Sequence, residues 1–420
     1  MTNVSIITIG DELLIGQVID TNSAWMAQLL NSQGFSVTRR VAVGDSRESI
    51  WKALDEEAQH AAVILVTGGL GPTADDITKP LLCEYFSGKM VVDEQALKNV
   101  RHLFENVFKR PFTERNKKQA EVPDVCTVMQ NRRGTAPGMI FEKDNCIFIS
   151  MPGVPHEMQG MMENDVLPLM KERFQPGQIE HRTLVTFGIG ESSIADMILE
   201  FENALPAHIK LAYLPNFGMV RLRLTSKNSP EKNPAEEIGH LFNQLRELMQ
   251  AHVISNEDQP MEKIVAALLL KEKLSMSTAE SCTGGYIAHL LTSLPGSSAF
   301  YKGSVISYSY QAKQDLLGVD GDVLAKEGAV SEAVVRQMVT GVVAAMDTNV
   351  AVAVSGIMGP DGGTDDKPVG TVWMAAGNKD KQIVQKLHFR FTRSRNIQLT
   401  AVNALFLLRK FILEDKQAEA

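Results

Sequence analysis

The run Ala279-Glu280-Ser281-Cys282-Thr283-Gly284-Gly285 places a hydroxyl and a thiol side by side between a strand-like and a helix-like stretch. A nucleophile at a strand terminus, close to a helix N-terminus, stands where negative charge is stabilised. Ser281 is the favoured nucleophile. Cys282 ranks below it, since no neighbouring base or basic cluster would generate the thiolate. A serine needs a base, and the histidines offer little: His289 on the following helix and His388 in a late strand-like run read as surface or packing residues. Lysine can take the role when desolvation lowers its pKa. Lys313 closes the string Ser307-Tyr308-Ser309-Tyr310-Gln311-Ala312-Lys313 after the next strand, with Tyr308 and Tyr310 beside it. Backbone N–H groups at Thr283, Gly284 and Gly285, or at Ser355, Gly356 and Gly359 in a third strand-end loop, are candidate donors to an oxyanion or phosphate.

A second set lies near the start of the chain. Thr67-Gly68-Gly69-Leu70-Gly71-Pro72-Thr73 follows an apolar run and leads to Asp75, Asp76 and Thr78. Glycines at a strand end let backbone N–H groups approach an anion, and the next helix adds its positive end. Carboxylates there suit a phosphorylated ligand only with a divalent cation such as Mg²⁺. Asp11 with Glu12, and Asp45, follow neighbouring strands, so Asp11, Asp45 and Asp76 form a candidate metal set. Gly134 to Gly138, with Arg132 and Arg133 beside it as groups that could neutralise phosphate, and the Pro/Gly-rich run 151–157 follow or flank strand-like runs.

These residues need strands ending together. The first 170 or so residues alternate strand-like runs (4–9, 36–43, 62–67) with helical patterns (23–33, 46–59), which implies a parallel sheet covered on both faces. Ligands then bind at the carboxyl ends of the strands. A small α+β texture occupies 173–255, including a helical pattern at 192–203 and a strand at 219–225. A polar, proline-ended linker follows. From 261 the alternation resumes, with strands at 274–279, 303–308, 349–354 and 370–376. The expected architecture is α/β: two doubly wound, three-layer domains (1–172 and 260–415) joined by a small α+β module (173–255).

Composition agrees with a folded chain of several domains. Of 420 residues, 44% are hydrophobic and 22% charged, which excludes disordered, collagen-like and coiled-coil classes. A net charge of −8 disfavours a nucleic-acid partner. The apolar runs are too short to cross a bilayer, and no leader-type segment opens the chain. The four cysteines form no C-x-x-C. A cytoplasmic protein with reduced thiols, assembled as a homo-oligomer, is expected.

Read together, the N-terminal motifs Gly10 to Gly16 with Asp20-Thr21-Asn22, Thr67 to Thr78, Gly134 to Gly138 and Pro152 to Pro155 resemble the molybdopterin-binding-type domain that opens the CinA (competence/damage-inducible) family. Those from Ala279 to Gly285, Ser307 to Lys313, Gly328 to Ser331, Ser355 to Gly363 and Lys367 to Val372 resemble the family's C-terminal domain. The resemblance implies a bifunctional enzyme of pyridine-nucleotide salvage. Its C-terminal half would hydrolyse nicotinamide mononucleotide to nicotinate mononucleotide and ammonia without a cofactor, using Ser281, Lys313 and Tyr308 or Tyr310. Its N-terminal half would be a metal-dependent ADP-ribose pyrophosphatase, with Asp45 and Asp76 functionally important, Thr78 after the latter, and Gly68, Gly69 and Gly71 against the substrate. The middle segment resembles a KH-like module but has no clear G-x-x-G clamp. Arg221 and Arg223 on it read as a solvated or interdomain face. Many relatives read G-D-R after the last strand; here Phe391-Thr392-Arg393-Ser394-Arg395-Asn396 leaves Arg393 and Arg395 as alternative ligand contacts. Two rival readings stand beside the enzyme: a non-catalytic nucleotide or pterin sensor in the first domain, and a competence-related nucleic-acid adaptor.

Overall fold

The computed structural model describes residues 2–73, 76–227 and 234–419. Asp75 and most of the expected loop 226–234 lie outside the described residues. The chain divides into two compact units, one of Met1–Glu180 with Ser226–Pro234, the other of His181–Thr225 with Ala235–Ala420.

The first unit is built on a six-stranded sheet in the order Ser36–Val43, Asn3–Ile9, Val63–Thr67, Cys146–Met151, Gly138–Lys143, Thr127–Met129. Its first four strands are parallel, and the last two run antiparallel to their neighbours. The sheet is therefore mixed, which corrects the all-parallel expectation. Residues 138–151 form a hairpin through Asp144 and Asn145, both at positive φ, and a hairpin needs no crossover helix. Alternate side chains divide between the two faces. Val4, Ile6, Val63 and Leu65 enter one apolar core, while Ile7, Ile9, Ile64 and Val66 enter the other. Burial on both faces explains the near-continuous apolar runs. Helices Thr21–Ser32 and Arg47–Ala58 begin at Asp20 and Ser46, whose side chains accept the N–H groups of Ser23 and Ser49.

The second unit contains two sheets. A four-stranded one has the order Ile209–Asn216, Met219–Lys227, Ile179–Phe187, Val253–Ser255. Helix Pro234–Leu248 packs on it through Ile238, Phe242 and Leu245, together with Leu184, Leu222 and Leu224. The expected helix at 192–203 is two short pieces, Glu191–Met197 and Leu199–Asn203. Val185, Phe187, Met219 and Ile254 of this module share a core with the five-stranded sheet that follows, and the Phe187 ring stacks on Phe406 at 4.1 Å.

That five-stranded sheet has the order Tyr301–Ile306, Met276–Glu280, Val350–Gly356, Thr371–Gly377, Gln382–His388. The first three strands are parallel and the last two antiparallel, so this sheet is mixed too. Strand Val350–Gly356 turns its valines, Val350, Val352 and Val354, toward the C-terminal helix, and its alanines, Ala351 and Ala353, toward helix Glu332–Met346. Small residues on that face let a valine-rich helix approach closely.

The C-terminal helix spans Arg393–Glu419. Its stretch Arg393–Lys416 has the length and apolarity of a membrane span, which the run-length reading missed. Ala401, Leu405, Leu408 and Phe411 are buried in the sheet's core, the burial expected of a core helix.

Candidate active site

In the C-terminal sheet the chain passes from Met276–Glu280, the middle one of the three parallel strands, to one side, then returns to the other side with Val350–Gly356. A crevice opens where the order reverses. The strand ends are tied together there: Ser307 N–H donates to Glu280 O at 2.9 Å, and Ser281 N–H to Val354 O at 3.1 Å. Ser281 is thus set at the end of the middle strand, with Ser307 and Val354 on either side.

Helix Tyr310–Leu317, capped by the Ser309 hydroxyl on Ala312 N–H at 3.1 Å, carries Lys313 to this point. The Lys313 amine donates to Ser281 Oγ at 2.9 Å and to Ser307 O at 2.6 Å. Lys313 is wholly buried. Desolvation lowers its pKa to about 8. The same burial pushes the Cys282 thiol up to about 12, so Cys282 is held as an inert thiol. His289 and His388 are exposed, and neither bonds to Ser281.

Ser281 opens into a cavity of about 250 Å³ lined also by Tyr308, Ala329, Val330, Gly356, Asp361 and Arg393. Of the two tyrosines, Tyr308 faces this cavity, and its hydroxyl accepts a hydrogen bond from Arg393 Nη2 at 3.1 Å. Tyr310 turns away and accepts Ala329 N–H at 3.2 Å, bracing the neighbouring loop. The two arginines separate as well. Arg393 is anchored on Gly359 O at 2.8 Å and borders a shallow second cavity lined by Thr283, Gly284, Gly285 and His289. Arg395 instead lies over the rings of Phe391 and Phe217, 4.9 and 5.9 Å from their centroids. Buried Asn396 pins the two loops that meet at Arg393 by donating to Met358 O and Phe391 O, each at 3.1 Å.

Sequence reasoning missed the part played by Glu280. Its carboxylate is fully buried and accepts from Thr283 Oγ1 at 2.7 Å, Gly285 N–H at 3.0 Å, Ile287 N–H at 3.0 Å, Ala288 N–H at 2.8 Å and Thr278 Oγ1 at 3.2 Å. This corrects the Thr283–Gly285 donor set, because the Gly285 N–H is already engaged. The Ser355 hydroxyl donates to Ala329 O at 2.7 Å and joins two loops at the rim of the cavity. A charged residue ending an otherwise uncharged, buried strand was the available signal.

The N-terminal sheet repeats the arrangement. A cavity of about 430 Å³ sits over the ends of strands Asn3–Ile9 and Val63–Thr67, lined by Thr67, Gly68, Gly69, Gly71, Asp76 and Glu157 among others. Gly68 is irreplaceable there: its φ is +116°, and a Cβ would stand 2.2 Å from Ile9 O. Thr78 is fully buried behind the loop, against Gly69, and does not line the cavity.

The three candidate metal ligands are not gathered into one set. Asp11 and Asp45 exchange hydrogen bonds, each carboxylate accepting the other's backbone N–H at 2.9 and 3.1 Å. Asp76 caps its own loop, accepting Gly71 N–H at 2.8 Å and Thr73 N–H at 2.9 Å. Among the described residues no group of three or more His, Cys, Asp or Glu side chains has the placement to hold a metal ion. As arranged, Asp11, Asp45 and Asp76 do not fit a shared divalent cation.

Glu157 was also passed over. Its carboxylate accepts from Asn131 Nδ2 at 2.6 Å, and burial raises its pKa. In the middle module, Arg221 pairs with Asp258 at 3.0 Å.

Comparison with known proteins covers nearly the whole chain. Residues 5–172 match the family described as "Probable molybdopterin binding domain", 181–255 the "Damage-inducible protein CinA KH domain", and 258–412 the "CinA C-terminal domain". A CinA-like protein of Cytophaga hutchinsonii is 42% identical over 411 residues, 98% of either chain. Another, from Flavobacterium psychrophilum, is 42% identical over 412 residues, 98% of this chain and 99% of its own. Among solved structures, the competence damage-inducible protein A of Klebsiella pneumoniae is 33% identical, covering 36% of this chain and 96% of its own with a TM-score of 0.35.

Proposed function

The chain belongs to the CinA family, and on that premise we propose that its C-terminal domain hydrolyses the carboxamide of nicotinamide mononucleotide, releasing ammonia and nicotinate mononucleotide. The observation that carries this reading is the buried contact between Lys313 Nζ and Ser281 Oγ, 2.9 Å long; among the described residues no histidine or second cation bonds to either atom.

Lys313 in its neutral form takes the Ser281 proton as the oxygen attacks the amide carbon. The same proton goes to the departing nitrogen, which leaves as ammonia. Water then cleaves the acyl-serine, with Lys313 again the base. The pyridinium charge makes the carboxamide a better electrophile. For the oxyanion, the alternation of strand Val350–Gly356 favours one donor. Ile357 N–H is directed to Thr371 O, so Gly356 N–H points the opposite way, toward the end of strand Met276–Glu280 and the cavity. Arg393, held by Gly359 O and Tyr308, is suited to the substrate phosphate.

The test is direct: purified protein is incubated with nicotinamide mononucleotide, and ammonia and nicotinate mononucleotide are quantified. No ammonia from the wild type at pH 8 to 9 would reject the reading.

For the N-terminal domain the companion proposal is hydrolysis of the ADP-ribose diphosphate with a divalent metal. One observation favours the rival reading of a binding-only nucleotide or pterin site: Asp11, Asp45 and Asp76 are all engaged with loop backbone, and among the described residues no Lys, Arg or His lines the cavity. Incubation with ADP-ribose separates them, by formation of AMP and ribose 5-phosphate or by saturable binding without turnover.

A further inference from the structure

We propose that Glu280 is the positioning residue of the nucleophile turn, a buried carboxylate whose hydrogen bonds hold residues 281–285 in the shape that aims Ser281 Oγ at Lys313. This inference rests on the reading of Ser281 as the nucleophile.

The argument begins with a demand for acceptors. Helix Tyr286–Thr292 has no side-chain cap from its own N-cap residue, Gly285, so its first N–H groups need acceptors from elsewhere. A buried N–H left without one keeps the full penalty of its desolvation. Glu280 meets this need from the far side of the loop. Its Oε2 accepts Thr283 Oγ1, Gly285 N–H and Ile287 N–H, and its Oε1 accepts Ala288 N–H and Thr278 Oγ1. Among the described residues no basic side chain bonds to this carboxylate; the peptide donors and two hydroxyls surround it.

The consequence for Ser281 is geometric. The residues between Glu280 and Gly285 form a closed ring, tied at one end by Glu280 itself and at the other by Gly285 N–H. Gly284 and Gly285, at φ +61° and +97°, supply the left-handed turns that close it. Ser281 stands inside that ring with one backbone tie outward, to Val354 O. The carboxylate makes no bond to Lys313 or to Ser281 Oγ, so its removal should change how often the hydroxyl is aligned without changing the base. Only an acceptor-only group satisfies the set. Glutamine would turn an NH₂ toward at least one N–H donor, either Ala288 or the Gly285–Ile287 pair.

The experiment uses full-length protein and two measurements. One is the second-order rate at which Ser281 is phosphonylated by a fluorophosphonate, located by peptide mass spectrometry. The other is deamidation of nicotinamide mononucleotide. Phosphonylation reads nucleophile alignment whatever the natural substrate is. For Glu280→Gln the expected result is phosphonylation about 100-fold slower and kcat reduced by a like factor, with KM within about threefold and the pH midpoint of both rates unchanged. Thr283→Val removes a single donor and is expected to slow both by about 10-fold. It serves in place of Glu280→Gln if that variant fails to give a cooperative melt. Wild-type rates in the folded variants would overturn the proposal, as would a shifted pH midpoint, which would make Glu280 part of the proton-transfer machinery. A wild type that is phosphonylated at Ser281 and slowed by Glu280→Gln, yet releases no ammonia, would reject the amidase reading and uphold the role of Glu280. A wild type inert to both reagents would reject the two together.

Discussion

Lys313 Nζ and Ser281 Oγ lie 2.9 Å apart, joining residues 32 positions distant in the chain inside a site from which both are nearly excluded from solvent. If this pair is the base and nucleophile, Ser281→Ala and Lys313→Met should each lower deamidation by about three orders of magnitude, and the double variant by little more, because both serve one step. Lys313→Arg should be as inactive, since guanidinium keeps its proton. Steady-state assays settle it; near-normal turnover of the arginine variant would remove Lys313 from the role.

The pH dependence follows from the direction of the Lys313 shift. Deprotonation activates the base, so kcat should rise through a single-proton step with a midpoint of about 8. Stability should move the same way. The amine titrates near 10.5 in the unfolded chain and about 8 in the folded one. Below pH 8 both states carry the proton, and the full cost of burying the charge, roughly 3 kcal/mol, is present. Between 8 and 10.5 the unfolded state alone binds the proton, and stability rises with pH. Lys313→Met should therefore raise the melting temperature at pH 7 and lose that advantage by pH 10.5.

The thiol next to the nucleophile should prove silent. Burial holds Cys282 near 12, so Cys282→Ala should keep kcat within about threefold, and iodoacetamide should label native Cys282 far more slowly than the unfolded chain. Loss of activity in that variant alone would transfer the chemistry to sulfur.

Arg393 and Arg395 should differ sharply. Arg393→Ala, which removes the cation bordering the cavity, should raise KM for nicotinamide mononucleotide at least about 10-fold. Tyr308→Phe should produce a smaller rise in KM through loss of its hydrogen bond to Arg393, and Tyr310→Phe a smaller one still. Arg395→Ala should leave KM within about twofold while lowering the melting temperature, through lost contact with Phe391 and Phe217. Equal KM effects from both arginines would contradict the division.

Chelation should divide the two proposed activities. If the N-terminal domain cleaves ADP-ribose at all, EDTA should abolish that cleavage and spare deamidation, since the proposed Ser281 and Lys313 chemistry needs no cation. Equal loss of both on chelation, or ADP-ribose cleavage unaffected by it, would count against the assignment.

Much of this protein was legible because its signals are local. Apolar runs ending in glycine marked strand ends, as at Val63–Thr67 and Val350–Gly356. The mixed sheets were not legible. A run of alternating apolar residues carries no mark of its direction, and the antiparallel edges depend on which strands pair.

What the sequence by itself determined is the cast: a serine at a strand end, a lysine one loop later, and glycines where only glycine takes the required φ, all set by residue type and short-range spacing. Tertiary structure decided the partnerships. Lys313 became buried and lost its usual proton affinity because helix Tyr310–Leu317 lies over the strand ends, and desolvation depends on the whole surrounding shell. Tyr308 was separated from Tyr310, and Arg393 from Arg395, because residues one or two apart leave a helix start in different directions. Asp11, Asp45 and Asp76, alike in sequence as acidic strand ends, were taken up by loop N–H groups that only the folded backbone brings within reach. Glu280 is the clearest case. Its five donors come from Thr278 and from the 283–288 turn, and no spacing rule could foresee that the turn would fold back around its own preceding carboxylate.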